Sequence, residues 1–194
     1  MNTVTQTLRA WAVQDVVSDP RARRALALAA FVLATAFGAQ VAVRFPWTAV
    51  PMTLQPLFVI LAGAVLGPRL GAMAMATYVM IGAAGAPVFS NGAAGLPWLL
   101  GPTGGYLLAM PAAAMVVGLV AGRTAGAPRM LLALTLGIAT IYAGGVSWLA
   151  MISGGNVQTA ITLGVMPFIA GDVTKILLAF FAAKSLRGTS FGRL

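Results

Sequence analysis

Asp172 is the only acidic side chain after residue 19, and it stands three residues before Lys175 in the otherwise almost wholly apolar run from Met166 to Leu178. On a helix, residues three apart project from neighbouring positions on one face and can pair. The carboxylate accepts from N–H donors, and the ammonium donates to a carbonyl or attracts an anion, so the pair is suited to holding a small polar solute. The bland alternative is an ion pair that only fixes helix packing. Buried pairs are weak sources of stability, which weights the reading toward function.

Composition explains why such a pair needs a reason. Of 194 residues, 60% are hydrophobic and 8% charged, against roughly 25% charged in an average soluble domain. The chain reads as an integral membrane protein, in which a charge at the centre of a span costs about 2.5–3.5 kcal/mol on insertion scales. A proton relay would want further carboxylates or His along a route; the chain has three Asp in all, with no Glu and no His.

Other polar side chains sit near the expected membrane boundaries. Arg44 opens the stretch to Gln55, where Pro46 and Pro51 break any helix. It reads equally as an interfacial anchor beside Trp47 or as a residue that gates a ligand. Gln55 and Asn91 are amides that donate and accept at once, and serve either a ligand or a kinked helix end.

Many activities lack parts. Without Cys there is no thiol chemistry, and with no His and only three carboxylates an all-protein metal site lacks ligands. There is no phosphate-loop motif for ATP hydrolysis, and no carboxylate pair or His for most acid–base schemes. A Ser/Lys hydrolase using Lys175 with Ser147 or Ser153 has no local support. The net charge of +9 suggests nucleic acid, but the arginines flank apolar segments as topology signals do.

The elements that must position the pair are helices, in an all-α architecture. Six spans are expected: 25–43, a shorter 54–67, 70–86, 103–122, 130–153 and 161 to about 186. They lie between an N-terminal segment, 1–24, and a tail, 187–194. The polar N-terminal segment, with Asp15, Asp19 and Pro20, does not resemble a cleavable signal peptide; residues 9–24 hold enough apolar positions for a short interfacial helix. Gly67-Pro68-Arg69 makes the second and third spans an antiparallel pair, or else one long kinked or re-entrant segment.

Six spans put both termini on one side, and the positive-inside rule makes that side the cytoplasm of a bacterial inner membrane. All 12 basic residues except Arg44 and Lys175 then fall on it. The connection 87–102 mixes Gly and Pro with aromatics, as a lid over a cavity would. Its Gly-Ala-Ala-Gly echo of residues 82–85 reads as local duplication. Ala25, Ala29, Ala30, Ala34 and Gly38 form a small-residue face on the first span, suited to close helix approach by a partner or within the monomer. Gly104-Gly105 and Gly144-Gly145 permit close contact in the same way.

Val50-Pro51-Met52-Thr53-Leu54-Gln55, then Leu61 to Gly71, then Gly85-Ala86-Pro87-Val88-Phe89, then Gly101-Pro102-Thr103-Gly104-Gly105-Tyr106 closely resemble the BioY family over residues 25–186. These are the biotin-specific S components of energy-coupling factor (ECF) transporters. The resemblance implies the six-helix ECF S-component fold, high-affinity capture of biotin and no cofactor. It also implies a transmembrane coupling protein and two ABC ATPases as partners, with no catalysis by the chain itself.

By that resemblance Asp172 takes a ureido N–H, Lys175 and Asn91 complete the polar set, and Phe89, Trp98, Tyr106 or Tyr78 pack the apolar rings; Gln55 and Arg44 join the substrate-binding candidates on residue type and position alone. Ala25/Ala29 and Ala30/Ala34 match the Ala-x-x-x-Ala surface by which S components dock their coupling subunit. Gly104-Gly105-Tyr106 stands where a family arginine is expected, so the partner of biotin's carboxylate stays open. An S component for another vitamin and a stand-alone secondary transporter are the competing readings.

Overall fold

Asp19 and Pro20 start the first helix, five residues before the expected span. The Asp19 side chain accepts from the Arg21 N–H at 2.8 Å, and Pro20 occupies a first-turn position where its missing N–H costs nothing. The computed structural model describes residues 19–122 and 124–187. The expected interfacial segment before residue 19, Arg123 and the tail from residue 188 lie outside them.

Helix α1 (Pro20–Gln40) leads into a two-residue strand, β1 (Ala42–Val43). It pairs antiparallel with β2 (Met52–Thr53), Ala42 opposite Thr53 and Val43 opposite Met52. The prolines that break the helix between them therefore lie in a hairpin loop. Then come α2 (Gln55–Leu66) and α3 (Pro68–Ala83), a 3-10 turn at Ser90–Gly92, and the short α4 (Leu96–Leu100). Long helices follow in α5 (Gly104–Ala121) and α6 (Ala127–Ile152). The chain ends through α7 (Val157–Gly164), a 3-10 turn at Met166–Phe168, and α8 (Ile169–Arg187).

Four described stretches are long and apolar enough to cross a membrane: α1, α5, α6 and the joined segment Val157–Arg187. With 12 and 16 residues, α2 and α3 are shorter than the roughly 20 of a full span. Helix α2 is buried almost all round from Val59 to Leu66, as expected of a helix apolar on every face. It packs against α1, α3, α5, α6 and α8 and forms the centre of the bundle.

The link between α2 and α3 is a hairpin, not one kinked helix. Gly67 reverses the chain with φ 79°, a left-handed conformation that favours glycine. A Cβ at Gly71 would lie 3.0 Å from Gly63 Cα, which places the two helices side by side. The glycines of α5 and α6 meet in the same manner: a Cβ at Gly144 would lie 2.9 Å from Gly105 O and 2.6 Å from Ala109 Cβ.

The expected last span, 161–186, is not continuous. Val165 leaves helical geometry (φ −128°, ψ −56°) and a 3-10 turn containing Pro167 precedes α8. Proline has no N–H to continue the ladder and crowds the preceding turn. The carbonyls released at this break find side-chain donors: Thr48 Oγ1 donates to Leu163 O at 2.8 Å, and Tyr106 Oη to Gly164 O at 2.9 Å. Satisfying them is what makes irregular backbone tolerable inside a membrane protein.

Candidate functional site

The break changes the setting of the charged pair, because it puts Asp172 in the first turn of α8 and not in mid-helix. Carboxylates are stabilised at helix N-termini, where unpaired N–H groups and the macrodipole are positive. Lys175 follows one turn later and donates from Nζ to Asp172 Oδ1 at 2.5 Å. Tyr142, from α6, donates its hydroxyl to Oδ2. Both charged residues are 5% exposed.

The pair faces a cavity with an empty volume of about 620 Å³, the solvent at its open mouth included. Val50 to Thr53 of the hairpin, Ser90 and Trp98 line one part of it. Leu107, Met110, Ile138, Ile141 and Phe168 give it an apolar surface, and Tyr106 and Thr103 complete the lining beside Asp172, Lys175 and Tyr142. An apolar wall with a few convergent polar groups suits a solute with a polar head and a hydrocarbon body.

Of the residues singled out from sequence, the cavity brings together Asp172, Lys175, Gln55, Tyr106 and Trp98. Gln55 is held on both sides. Thr53 Oγ1 donates to its Oε1 at 2.9 Å, and its Nε2 donates to Tyr78 Oη at 2.7 Å. Tyr78 and Phe89 are fully buried outside the cavity lining. Tyr78 donates onward to Val88 O at 2.8 Å and meets the Phe89 ring edge-on, the centroids 5.7 Å apart. They brace Gln55 and the 87–102 connection from behind.

Arg44 and Asn91 are exposed and also outside the lining. Asn91 adopts φ 58°, a conformation asparagine tolerates better than most residues. With its amide oxygen turned to the guanidinium, it accepts from Arg44 Nε and Nη2 at 3.2 Å each. The contact joins the hairpin loop to the 87–102 connection. Gln40 joins the latter to the end of α1, donating from Nε2 to Phe89 O at 3.1 Å and accepting from the Gly92 N–H at 3.0 Å.

On α1, Ala25, Ala29 and Ala30 are exposed and Ala34 half-buried, while Gly38 is buried against Phe58. Thus part of the small-residue face is spent inside the molecule and part is open. Tyr142, Ser90, Thr103 and Phe168 are among the lining residues that sequence reasoning did not find. The available signal for Tyr142 was a phenol inside a long apolar helix, one of three tyrosines in the chain.

Fold and site together define a helical membrane protein that encloses a charged, mostly apolar-walled pocket for a small molecule. The chain belongs to the BioY family, whose model matches residues 6–190. "Probable biotin transporter BioY" of Pyrococcus horikoshii is 42% identical over 170 residues, covering 88% of this chain and 99% of the relative. "Biotin transporter BioY" of Thermotoga maritima is 39% identical over 145 residues, covering 75% of this chain and 85% of the relative. A solved structure described as the S-component for biotin from an ECF-type ABC transporter superposes with a TM-score of 0.83 at 22% identity, covering 89% of this chain and 95% of that one. That likeness speaks for the fold.

Proposed function

We propose that this chain is a biotin-binding membrane subunit that takes up the vitamin, a transport component and not an enzyme. The observation that carries the reading is the buried Asp172–Lys175 pair facing an apolar-walled cavity in a member of a family whose named relatives are biotin transporters. Biotin combines a ureido ring with N–H donors and a carbonyl, a thioether ring with apolar faces, and a carboxylate on a hydrocarbon arm. Asp172 accepts a ureido N–H, Lys175 donates to the ureido carbonyl, and Tyr142 holds the carboxylate of Asp172 in place. Trp98, Tyr106 and Phe168 pack the rings. The carboxylate arm reaches the hydroxyls of Ser90 and Thr103, which line the same cavity.

In this reading the chain crosses the membrane six times, through α1, α2, α3, α5, α6 and the broken α7–α8 segment. The central α2 crosses despite its length because other helices surround it. Arg24, Arg69, Arg129, Lys184 and Arg187 mark the cytoplasmic side and the side of both termini; Arg44 lies outside. Uptake is energised by a transmembrane coupling protein and two ABC ATPases, with no cofactor on this chain, and the open Ala25/Ala29/Ala30 face of α1 meets the coupling protein.

Titration of the purified chain with biotin, in competition with thiamine and riboflavin, tests the ligand. Saturable biotin binding with submicromolar Kd, undisturbed by the other two, is expected. Binding only at millimolar concentration, or displacement by thiamine or riboflavin, would overturn it.

A further inference from the structure

At the other end of α8 from Asp172, roughly 22 Å away at 1.5 Å per residue, the bundle opens into a second cavity that the binding reading does not use. This open crevice has an empty volume of about 1370 Å³, the solvent at its mouth included. Arg24 of α1, Arg69 at the start of α3 and Arg187 at the end of α8 line it together. Among the described residues the carboxylates are Asp19 and Asp172, and neither lines the crevice. Three guanidinium groups thus surround an open space that no acid of its lining neutralises.

Two local features add to the demand for an anion. Arg187 is fixed in place, since Nε donates to Ala64 O at 2.8 Å and Nη2 to Gly122 O at 2.9 Å, with further N–H donors left on the same guanidinium. Helix α3 begins at the crevice without a side-chain cap, so its first-turn N–H groups add positive potential.

The rim distinguishes a lipid from a small soluble anion. Leu119 lines the crevice and is 61% exposed. It ends a stripe of exposed side chains on α5, Leu108, Ala112, Met115 and Leu119, at spacings of four, three and four. That spacing is one helix face, running from the crevice along the bundle toward the end that holds the ligand cavity. A phosphate group with hydrocarbon chains attached matches a basic crevice continuous with an apolar stripe.

We propose that this crevice seats the phosphodiester of an anionic phospholipid between Arg24, Arg69 and Arg187, with its acyl chains along the α5 stripe. Basic pockets between helices at a membrane surface recognise such headgroups, at roughly fivefold in affinity for each arginine. The site would tie the orientation of the bundle to the lipid composition of one leaflet.

The test is native mass spectrometry of the full chain in detergent, titrated with phosphatidylglycerol or phosphatidylcholine. Wild type is expected to retain phosphatidylglycerol at least about tenfold better than phosphatidylcholine. Arg24→Gln/Arg69→Gln is expected to lose roughly 30-fold in phosphatidylglycerol affinity. Arg187 is left intact because it fastens α2 and α5. Unchanged biotin binding and thermal midpoint show that the double variant is folded. Equal retention of the two lipids by wild type, which needs no variant, would overturn the proposal. So would a loss under about threefold in the folded variant, or displacement of the lipid by inorganic phosphate at the same concentration, which would mark a free-anion site.

Discussion

Replacing the charged pair one residue at a time and then together separates ligand binding from helix packing. Asp172→Leu leaves the Lys175 ammonium at a 5% exposed position without its 2.5 Å partner, and also strips the Tyr142 hydroxyl of its acceptor. Lys175→Met leaves the carboxylate with Tyr142 alone. Removing one partner of a buried pair costs about 3–5 kcal/mol, whereas replacing both by apolar side chains of similar volume is often neutral. Each single variant should therefore unfold at a lower temperature than wild type, and Asp172→Leu/Lys175→Met should recover most of the loss. Binding should not recover. A hydrogen bond to a charged group is worth about 1.5–3 kcal/mol, so losing the Asp172 contact to biotin weakens affinity roughly 10- to 150-fold. Thermal unfolding of the apo chain by differential scanning fluorimetry gives one axis, and calorimetric titration with biotin the other. A double variant that binds biotin within about threefold of wild type would reduce the pair to a packing device and refute the assignment.

Two further outcomes follow from the packing. Gly144→Leu drives a side chain into Gly105 O and Ala109 Cβ, where even a Cβ has only 2.9 and 2.6 Å; overpacking of about 1–3 kcal/mol should lower the thermal midpoint of the apo protein, and an unchanged midpoint would contradict the close α5–α6 contact. Ala29→Leu/Ala30→Leu places bulk on the exposed face of α1. It should leave biotin titration curves unaltered while abolishing biotin uptake by cells that supply the coupling protein and ATPases; intact uptake would move that interface elsewhere.

The pair was legible in the sequence because charge is scarce: one carboxylate and one ammonium in a long apolar run have few explanations. Four of the six expected spans appear as stretches long and apolar enough to cross a membrane, and the hairpin at Gly67 was legible for a related reason, since hydropathy and glycine–proline punctuation act locally. The paired strands were not, because two residues per strand carry no alternation to read. Nor did residue type say which aromatics line the cavity. Tyr78 and Phe89 have the same character as Tyr106 and Trp98, and only the rotation of α3 and the course of the 87–102 connection put the first two behind the cavity wall.

The break at Val165 is the omission with the most consequence. Averaged hydropathy runs through it unchanged, since Gly164, Val165, Met166 and Phe168 are all tolerated in a span; Pro167 was the one local signal. Reading through the break made Asp172 a mid-span carboxylate that had to be justified by function alone. With the break in place, the carboxylate sits in a first turn and takes the Tyr142 hydroxyl and the Lys175 ammonium, while Thr48 and Tyr106 satisfy the carbonyls of Leu163 and Gly164 at the break itself. The same interruption that makes the charge tolerable turns its helix end toward the cavity. Thr48 comes from the hairpin loop and Tyr106 from the cavity wall, so the groups that stabilise the break belong to the segments that enclose the cavity. Filling the cavity should therefore stiffen the hairpin loop, the break and the charged pair as one unit.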